Sequence, residues 1–283
     1  MKRVAVLGAG TMGSGIAHVF AQYGYEVAWV EVDKTRWEKA RAIVAQNTER
    51  QVKKGILTPE EREALLSRLT FYEAAREAVQ GVEIVVEAVP EEVDLKLKVW
   101  RTVGEAAASE TILATNTSSI SITRLAAVVP RPERFIGMHF MNPVPVMRLV
   151  EVIRGHQTNE ATTQKVVDIA KALGKEPVVV QDYPGFISNR VLMPMINEAI
   201  YALWQGVATR EAIDTIMKLG MNHPMGPLEL ADFIGLDVCL AILRVLHEGF
   251  GDPKYAPCPL LVNMVQAGYL GRKTGRGFYE YTS

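Results

Sequence analysis

The glycine-rich segment after the first apolar run constrains the fold more than any other feature of the sequence. Residues 4–7 (VAVL) run directly into GAGTMG at 8–13, and a helical pattern begins at 15–17. Glu31 ends the next apolar run. A strand, a GxGxxG turn, a helix and an acidic residue about 20 positions later form the dinucleotide-binding fingerprint. The sequence therefore predicts a Rossmann-type unit at the start of the chain.

Each glycine of this motif has a physical role. Gly8 permits the tight turn, Gly10 lets a pyrophosphate approach the backbone, and Gly13 allows close contact between helix and strand. The helix N-terminus then offers N–H groups and a partial positive charge to the phosphates. The predicted nucleotide contacts in this motif are Gly8, Ala9, Gly10, Thr11, Met12 and Gly13.

Glu31 bears on which nucleotide binds. Its carboxylate can accept hydrogen bonds from an unphosphorylated adenine ribose, whereas a 2′-phosphate would face its negative charge. At about 4 Å and an effective dielectric of about 20, each pair of unit charges costs about 4 kcal/mol before screening. No arginine follows Glu31 until Arg36. The sequence therefore favours NAD over NADP as the cofactor.

Short β-branched runs alternate with helix-length segments in the first half of the chain. This alternation predicts an α/β domain with a doubly wound, mostly parallel sheet. Because about fifty residues separate the second and third predicted strands, we expect an inserted helical pair between them. The predicted strands are 4–7, 27–31, 84–87, 112–115, 135–140, 148–152 and 175–181. The predicted helices are 13–23, 36–54, 60–67, 91–107 and 160–173.

The pattern becomes purely helical beyond residue 183. We therefore expect two domains: a Rossmann-like NAD-binding domain over 1–183, and an all-α domain over 184–283 for substrate binding and dimerisation. The apolar residues of 187–205 cover more than one helical face, which predicts burial in a domain core or in a subunit interface. We favour a homodimer interface, because roughly one hundred residues of helix form a small core by themselves. The predicted helices of this half are 187–205, 210–219, 227–233, 238–250 and 260–267.

Composition and charge argue against several classes of partner. The 283-residue chain has a formal net charge of -1, which gives no positive field for nucleic acid or an anionic membrane. No apolar run approaches the ~20 residues of a membrane span, and the N-terminus lacks the apolar core of a signal peptide. Cys239 and Cys258 have neither metal-ligand nor disulfide spacing. We expect a cytoplasmic protein without a metal site.

A histidine and a glutamate lie in two neighbouring apolar runs of GMHFMNPVPVMRLVEVI (137–153). His139 is in the first run, Glu151 is in the second, and a turn at 142–145 separates them. If the two side chains meet, the carboxylate can orient the imidazole and stabilise the imidazolium. Oxidation of an alcohol by NAD requires such a base. We therefore hypothesise proton transfer at His139, with a purely structural pair as the alternative.

Seven motifs together resemble the 3-hydroxyacyl-CoA dehydrogenase family, and most closely its short bacterial members. They cover nearly the whole chain: GAGTMG, VVEAVPEE, ATNTSSI, GMHFMNPVPVMRLVEVI, DYPGFISNRV, HPMGPLELAD and LGRKTGRGFYEY. The resemblance implies reversible, NAD-dependent oxidation of an L-3-hydroxyacyl-CoA to the 3-ketoacyl-CoA. It also implies a short acyl chain, as in 3-hydroxybutyryl-CoA.

The resemblance assigns roles around the reacting atoms. It implies His139 as general base, Glu151 as its partner, and Ser118 as a hydrogen-bond donor to the substrate oxygen. It implies that Asn189 fixes the reacting part of the acyl chain. The alternative for residues 116–119 is a cluster that caps a helix, and the alternative for Asn189 is a plain first-turn helix residue.

The resemblance also assigns contacts to the cofactor and to CoA. The positions that it matches to NAD contacts are Glu91, Lys96, Asn142 and Lys273. Lys54 matches a residue that binds the CoA phosphates, and Asn47 stands where the family has a CoA-contacting serine. As alternatives, Glu91 and Lys96 could be exposed on a surface helix, Asn142 could serve only as a turn former, and Lys54 could be a solvated lysine.

Three other functions compete with this interpretation. One keeps the fold and the His–Glu pair but oxidises a non-thioester hydroxy acid such as a sugar acid. Another is a non-catalytic NAD-binding structural or sensor protein, which would not need the paired proton-transfer groups. A β-hydroxyacid dehydrogenase with a catalytic lysine is disfavoured, because residues 186–191 offer Asn189 and Arg190 but no lysine.

Overall fold

The computed structural model describes residues 2–281, which form an α/β unit followed by a helical unit. Contacts between residues divide the chain into Met1–Asp182 and Tyr183–Ser283. The predicted fold class, a Rossmann-type doubly wound sheet followed by an all-α domain, is confirmed. Within the described residues, no helix combines the length and the apolar character that crossing a membrane requires.

The α/β unit is built on one eight-stranded sheet, counted over residues 2–281, with the order β3-β2-β1-β4-β5-β6-β7-β8. Neighbouring strands are parallel except for the antiparallel pair β6 and β7. The strand order reverses between β1 and β4, and ligands of such sheets bind at this reversal. The strands are β1 Arg3–Leu7, β2 Glu26–Val30, β3 Leu69–Tyr72, β4 Ile84–Glu87, β5 Ile112–Thr115, β6 Phe135–Phe140, β7 Leu149–Arg154 and β8 Glu176–Gln181.

Helices flank the sheet and make up nearly all of the regular structure of the second unit. Those of the first unit are α1 Thr11–Gln22, α2 Lys34–Lys53, α3 Pro59–Ser67, α4 Ala75–Ala78, α5 Val93–Ala106, α6 Ile122–Ala126 and α7 Glu160–Ala172. Those of the second unit are α8 Ser188–Trp204, α9 Arg210–Gly220, α10 Pro227–Ile234, α11 Leu236–Phe250 and α12 Pro259–Gln266. Short 3₁₀ turns occupy Pro132–Arg134, Pro253–Tyr255 and Arg272–Thr274.

The inserted helical pair of the first unit is α2 and α3, and local sequence explains its ends. Asp33 caps α2, and Thr58 forms a capping box with Glu61 at the start of α3. The prediction for this region was nevertheless incomplete, because β3 follows α3 and pairs with β2 at the sheet edge. This strand has four residues and only Leu69 is buried, so its sequence carries little strand periodicity.

The buried strands explain why the fold class could be predicted. Residues of β4, β5 and β6 are buried at every position, which matches their continuous apolar runs. The predicted helix 91–107 begins only at Val93, so Glu91 lies in the loop between β4 and α5. That loop and the loop after β5 leave the sheet at its carboxyl edge, where the candidate site lies.

Two buried carboxylates organise the helical unit. Asp214 accepts hydrogen bonds from the backbone N–H groups of Leu228 and Glu229 at the start of α10. Asp232 accepts from the N–H groups of Phe278 and Tyr279, each at 2.9 Å, and holds the C-terminal segment. Burial raises the pKa of Asp232. These contacts hold Phe278 and Tyr279 in place, although the described residues of this segment form no strand.

Candidate active site

The glycine-rich loop between β1 and α1 has the geometry that close contact with a nucleotide requires. Gly8 has a φ of 103°, and a Cβ there would lie 2.7 Å from the carbonyl oxygen of Ala88. A Cβ on Gly13 would overlap the carbonyl oxygen of Gly8, whereas a Cβ on Gly10 would meet nothing within 4 Å. Gly8 and Gly13 are therefore required by the fold, while Gly10 leaves open space at the N-terminus of α1.

That open space belongs to a cavity of about 670 Å³ along the reversal point of the sheet. Its volume is ordinary for a cofactor or small-molecule site. Gly10 caps α1 without a side chain, so the first-turn N–H groups of the helix are available to an anion. Of the predicted nucleotide contacts, the cavity wall includes Gly8, Ala9, Gly10, Thr11, Met12, Glu31 and Asn142. These residues fit a dinucleotide, with Gly13 supporting the loop from behind.

Glu31 lies directly after β2 and is held in place by backbone donors. Its Oε2 accepts from Ala9 N at 3.1 Å, and its Oε1 accepts from Asp33 N at 3.3 Å. Two cations that sequence reasoning did not assign, Arg36 and Lys39, line the same cavity. Their i, i+3 spacing on α2 places them on one helix face, which is the signal that could have found them.

His139 and Glu151 form a buried pair on adjacent strands. The antiparallel register of β6 and β7 sets the two residues directly opposite each other. His139 Nδ1 lies 2.8 Å from Glu151 Oε2, and the two residues are 8% and 3% exposed. An ionised carboxylate only accepts hydrogen bonds, so Nδ1 carries the proton that is shared with Glu151. A proton exchanged with a ligand would therefore use Nε2.

Asn116 ties the loop after β5 to the strand that carries His139. Its Oδ1 accepts from Phe140 N at 2.8 Å, and its own N–H donates to Glu87 O. This contact was not predicted, because it depends on the juxtaposition of β5 and β6. It fixes the loop that begins at Asn116 relative to His139.

Glu91 holds the serine loop, defined here as residues 116–119. Its Oε1 accepts from Thr117 Oγ1, from Ser118 N at 3.0 Å and from Ser119 N at 3.1 Å. Burial alone would raise the pKa of Glu91, but the nearby Lys96 ammonium and these hydrogen bonds outweigh it and lower the pKa. Glu91 is therefore an ionised anchor for the loop that carries Ser118.

Two alternatives for this region are wrong. Lys96 is not exposed on a surface helix: it is 1% exposed, and its Nζ lies 2.5 Å from Glu87 Oε1. The serine loop does not cap a helix, because the N-cap of α6 is Ser121, whose side chain accepts from Arg124 N. Ser118 thus lies in a loop between β5 and α6, where Glu91 binds it.

The two residues matched to CoA contacts both lie on α2 or at its end. Lys54 is the exposed C-cap residue of α2, and Asn47 lines the same cavity as Arg36 and Lys39, about two helical turns after Lys39. The structure places Asn142 in the turn after β6, so it serves both as a turn residue and as part of the cavity wall.

The remaining predicted residues belong to the helical unit. Asn189 is the second residue of α8, in its first turn, and its N–H donates to Gly185 O. Lys273 lies in the 3₁₀ turn Arg272–Thr274, and its Nζ contacts both carboxylate oxygens of Asp237, at 2.5 and 2.7 Å. Among residues 2–281, no cluster of three or more His, Cys, Asp or Glu side chains could hold a metal ion.

Comparison with known proteins covers both units. A family model described as the NAD binding domain of 3-hydroxyacyl-CoA dehydrogenase matches residues 3–183. A second model, the C-terminal domain of 3-hydroxyacyl-CoA dehydrogenase, matches residues 185–281. Together the two models span nearly the whole chain.

Similar proteins match over nearly their full lengths. The chain is 52% identical to a probable 3-hydroxybutyryl-CoA dehydrogenase of Bacillus subtilis (strain 168), over 99% of this chain and 98% of that protein. It is 53% identical to 3-hydroxybutyryl-CoA dehydrogenase of Bradyrhizobium diazoefficiens, over 99% and 96% of the two chains. The crystal structure of (S)-3-hydroxybutyryl-CoA dehydrogenase from Ralstonia eutropha has a TM-score of 0.97 and 49% identity, covering 100% of both chains. The chain therefore belongs to the 3-hydroxyacyl-CoA dehydrogenase family and is an NAD-dependent enzyme of that family.

Proposed function

We propose that this enzyme catalyses the reversible oxidation of a short-chain L-3-hydroxyacyl-CoA, such as 3-hydroxybutyryl-CoA, to the 3-ketoacyl-CoA. The observation that carries the proposal is the buried contact of 2.8 Å between His139 and Glu151. The names of the similar bacterial proteins support the acyl-CoA substrate and its short chain. The match to this family does not favour the two alternatives, a sugar-acid dehydrogenase and a non-catalytic sensor.

His139 is the general base of the proposed reaction. NAD, when bound, supplies the acceptor for the hydride that leaves the hydroxyl-bearing carbon. Because Nδ1 is engaged by Glu151, Nε2 takes the hydroxyl proton and returns it in the reverse direction. An imidazole serves both directions because its ordinary pKa lies near neutral pH.

Glu151 acts on His139 rather than on the substrate. Its buried carboxylate orients the ring and stabilises the imidazolium that forms when Nε2 takes a proton. A charge in a poorly hydrated site interacts more strongly than one at the surface, so burial of Glu151 strengthens this effect.

Ser118, Asn189 and Lys54 complete the proposed substrate site. Ser118 donates a hydrogen bond to the substrate oxygen that reacts, and Asn189 fixes the neighbouring part of the acyl chain. Glu91 supports this role of Ser118, because it holds the backbone of the serine loop in one conformation. Lys54, exposed at the end of α2, offers a positive charge to the CoA phosphates.

The glycine-rich loop, Glu31 and Asn142 form the proposed NAD site, with Glu91, Lys96 and Lys273 as further contacts. Glu91 is the best placed of these three, since its carboxylate is partly exposed at the carboxyl edge of the sheet. Lys273 is engaged by Asp237, so any contact that it makes to NAD shares its ammonium with that carboxylate.

The division of labour between the two halves stays a prediction. We propose that residues 1–183 bind NAD, that residues 184–283 contribute to substrate binding, and that the helical half forms a homodimer. Sedimentation equilibrium of the purified chain checks the homodimer, and a monomer at all concentrations would contradict it.

A cytoplasmic location likewise stays a prediction, which fractionation of the source cells checks.

The test of the function is reduction of acetoacetyl-CoA with NADH by the wild-type enzyme and by His139→Gln. General acid–base catalysis is worth about 10²–10⁴-fold, so we expect turnover to fall by a factor in that range. The NADH dissociation constant should change little, because His139 is assigned to proton transfer. Wild-type turnover in the variant would overturn the assignment of His139.

A second arm of the same test separates the substrate classes. We expect activity on four-carbon 3-hydroxyacyl-CoA with NAD, a decline towards sixteen-carbon chains, and no turnover of sugar acids. Faster turnover of a sugar acid than of the CoA thioester would replace the proposed substrate. Rates that do not decline with chain length would contradict the short-chain assignment.

A further inference from the structure

We propose that Lys175 is a positioning residue for the NAD site, because it fixes the turn that carries Asn142. This turn, called here the Asn142 turn, comprises residues 142–147 and joins β6 to β7, the strands of His139 and Glu151. Asn142 lines the cavity beside the glycine-rich loop, and Lys175 acts on it from inside the protein. The inference rests on the proposed function in one respect, the contact between Asn142 and NAD.

The ammonium of Lys175 binds two carbonyl groups of the Asn142 turn. Its Nζ donates to Val144 O at 2.5 Å and to Met147 O at 2.7 Å. Hydrogen bonds from a charged donor are stronger than those between neutral groups. Because the two carbonyl groups lie three positions apart in the chain, a single ammonium holds the turn at two points.

Burial makes these two contacts important to Lys175 itself. The residue is 9% exposed, and this burial lowers its pKa. Among the described residues, no carboxylate pairs with its ammonium. A buried charge is costly unless hydrogen bonds replace the water that it has lost. The carbonyl groups of the Asn142 turn therefore replace the lost hydration of this cation.

The backbone around Lys175 gives the side chain a rigid base. The N–H group of Lys175 donates to Ala170 O at the end of α7, at 3.0 Å. The next N–H group along the chain, that of Glu176, donates to Arg148 O at 2.8 Å, and β8 pairs with β7 from there onward. The ammonium therefore fixes the turn relative to a helix and to the sheet.

The other side of the Asn142 turn packs against α1. Val144 is 2% exposed, and a Cβ on Gly15 would lie 2.8 Å from Val144 Cβ, so the two residues are in close contact. Gly15 follows the glycine-rich loop in the first turns of α1. The turn is thus held between α1 and Lys175. Loss of the ammonium releases one of these two attachments, which lets Asn142 move relative to the glycine-rich loop.

A single substitution cannot separate positioning from an effect of the charge, so the test is a double-mutant cycle. Lys175→Met removes the ammonium, and Asn142→Ala removes the side chain through which Lys175 should act. Lys171→Met is the matched control, because Lys171 is an exposed lysine in the last turn of α7. Fluorescence titration gives the NADH dissociation constant of each variant and of the double variant, and thermal unfolding gives the melting temperature.

We expect Lys175→Met to weaken NADH binding by about tenfold in the wild-type background. In the Asn142→Ala background the same change should weaken it by less than about threefold, since the side chain to be positioned is absent. The melting temperature should fall equally in both backgrounds, because the hydrogen bonds to Val144 and Met147 are lost in each. Lys171→Met should bind NADH like the wild type.

Two results with Lys175→Met would overturn the proposal. If NADH binding weakens by the same factor in both backgrounds, the ammonium acts through its charge and not through Asn142. If only the melting temperature falls, the role of Lys175 is purely structural. Should Lys175→Met fail to fold, the cycle is measured with Lys175→Gln and judged in the same way. The glutamine is neutral and one bond shorter, so it cannot hold both carbonyl groups from the same backbone position.

The cycle also keeps this proposal separate from the proposed function. Unchanged NADH affinity in Asn142→Ala would remove the NAD contact assigned to Asn142, and the role of Lys175 with it. Weaker binding in Asn142→Ala without coupling to Lys175 would overturn the role of Lys175 alone. Neither titration requires an acyl-CoA, so a failure of the wild-type enzyme to reduce acetoacetyl-CoA would count only against the proposed substrate.

Discussion

Glu151 stands directly opposite His139 on the antiparallel strands β6 and β7, with His139 Nδ1 and Glu151 Oε2 2.8 Å apart. The register of the two strands sets this distance, so the pair is part of the sheet and not a contact between mobile loops. Both residues are buried, which keeps water from competing for the hydrogen bond.

Replacing Glu151 by glutamine should lower kcat for acetoacetyl-CoA reduction by about 10²-fold or more, because a neutral amide cannot stabilise the imidazolium. The pH–rate profile should change with it, since the carboxylate no longer interacts with the titrating ring. Glu176→Gln is the matched control: Glu176 is an exposed glutamate on the neighbouring strand β8, and its loss should leave kcat unchanged. An unaltered pH–rate profile in Glu151→Gln would contradict the proposed pairing.

Gly10 and Gly13 should respond differently to the same added methyl group. In Gly10→Ala the new Cβ meets nothing within 4 Å, so we expect the melting temperature to stay near wild type. NADH affinity should nevertheless fall by about tenfold or more, because the methyl group occupies the space that the pyrophosphate needs.

In Gly13→Ala the new Cβ overlaps Gly8 O, so both the melting temperature and the NADH affinity should fall. Thermal unfolding and fluorescence titration of the two variants separate the effects. If Gly10→Ala binds NADH normally, the pyrophosphate does not lie against Gly10.

Replacing Glu31 by serine should reduce the preference for NAD over NADP by about tenfold or more, as measured from the dissociation constants of NADH and NADPH. The change removes the carboxylate, while Arg36 and Lys39 on the same cavity wall stay to attract a 2′-phosphate. Adding Arg36→Ala to Glu31→Ser is the control and should reverse part of the gain in NADPH affinity. An unchanged ratio in Glu31→Ser would show that Glu31 does not face the adenine ribose.

His18 should make the stability of the protein depend on pH. Burial lowers its pKa below the ordinary 6.5, while hydrogen bonds to Gln51 and Gln22 raise it less, and the nearby Lys175 charge lowers it further. His18 therefore binds a proton more strongly in the unfolded chain than in the folded protein. Below pH 6.5 this makes the free energy of unfolding fall as pH decreases, by up to about 1.4 kcal/mol per pH unit, until the folded-state pKa is reached.

In His18→Gln this contribution should disappear. Urea unfolding gives the free energy of unfolding of the wild type and of His18→Gln at pH 7 and at pH 5. The loss of stability between the two pH values should be larger in the wild type, and the excess is the contribution of His18. An equal loss of stability in the two proteins would contradict the effect of burial on His18.

The serine loop shows where prediction from sequence ended. The motif ATNTSSI suggested either a substrate contact at Ser118 or a helix cap, and a cap was a reasonable alternative because Ser, Thr and Asn favour that position. The structure instead has Ser121 as the cap and Glu91 as the partner of the loop. Glu91 is 27 residues away in sequence from Ser118, so no local pattern could pair them.

The sequence by itself determined the fold class, the position of the nucleotide loop and the candidate base. These depend on local requirements. The fold class follows from strand and helix periodicity, the loop from a glycine at position 8, where φ is positive, and the candidate base from a histidine and a glutamate in consecutive strands. Strands that are consecutive in the chain and joined by a short connection usually become neighbours, which is why the pairing of His139 with Glu151 could be anticipated.

Only the tertiary structure decided that Lys96 is buried, that Arg36 and Lys39 line the cavity beside the glycine-rich loop, and that Leu69–Tyr72 is an edge strand. The physical reason is the same for all three. Whether a charged side chain is hydrated or paired, and whether a short segment joins a sheet, depends on which distant elements cover it. The residues that cover Lys96 come from the end of β4 and from the loop that follows it, and their approach exists only in the folded chain.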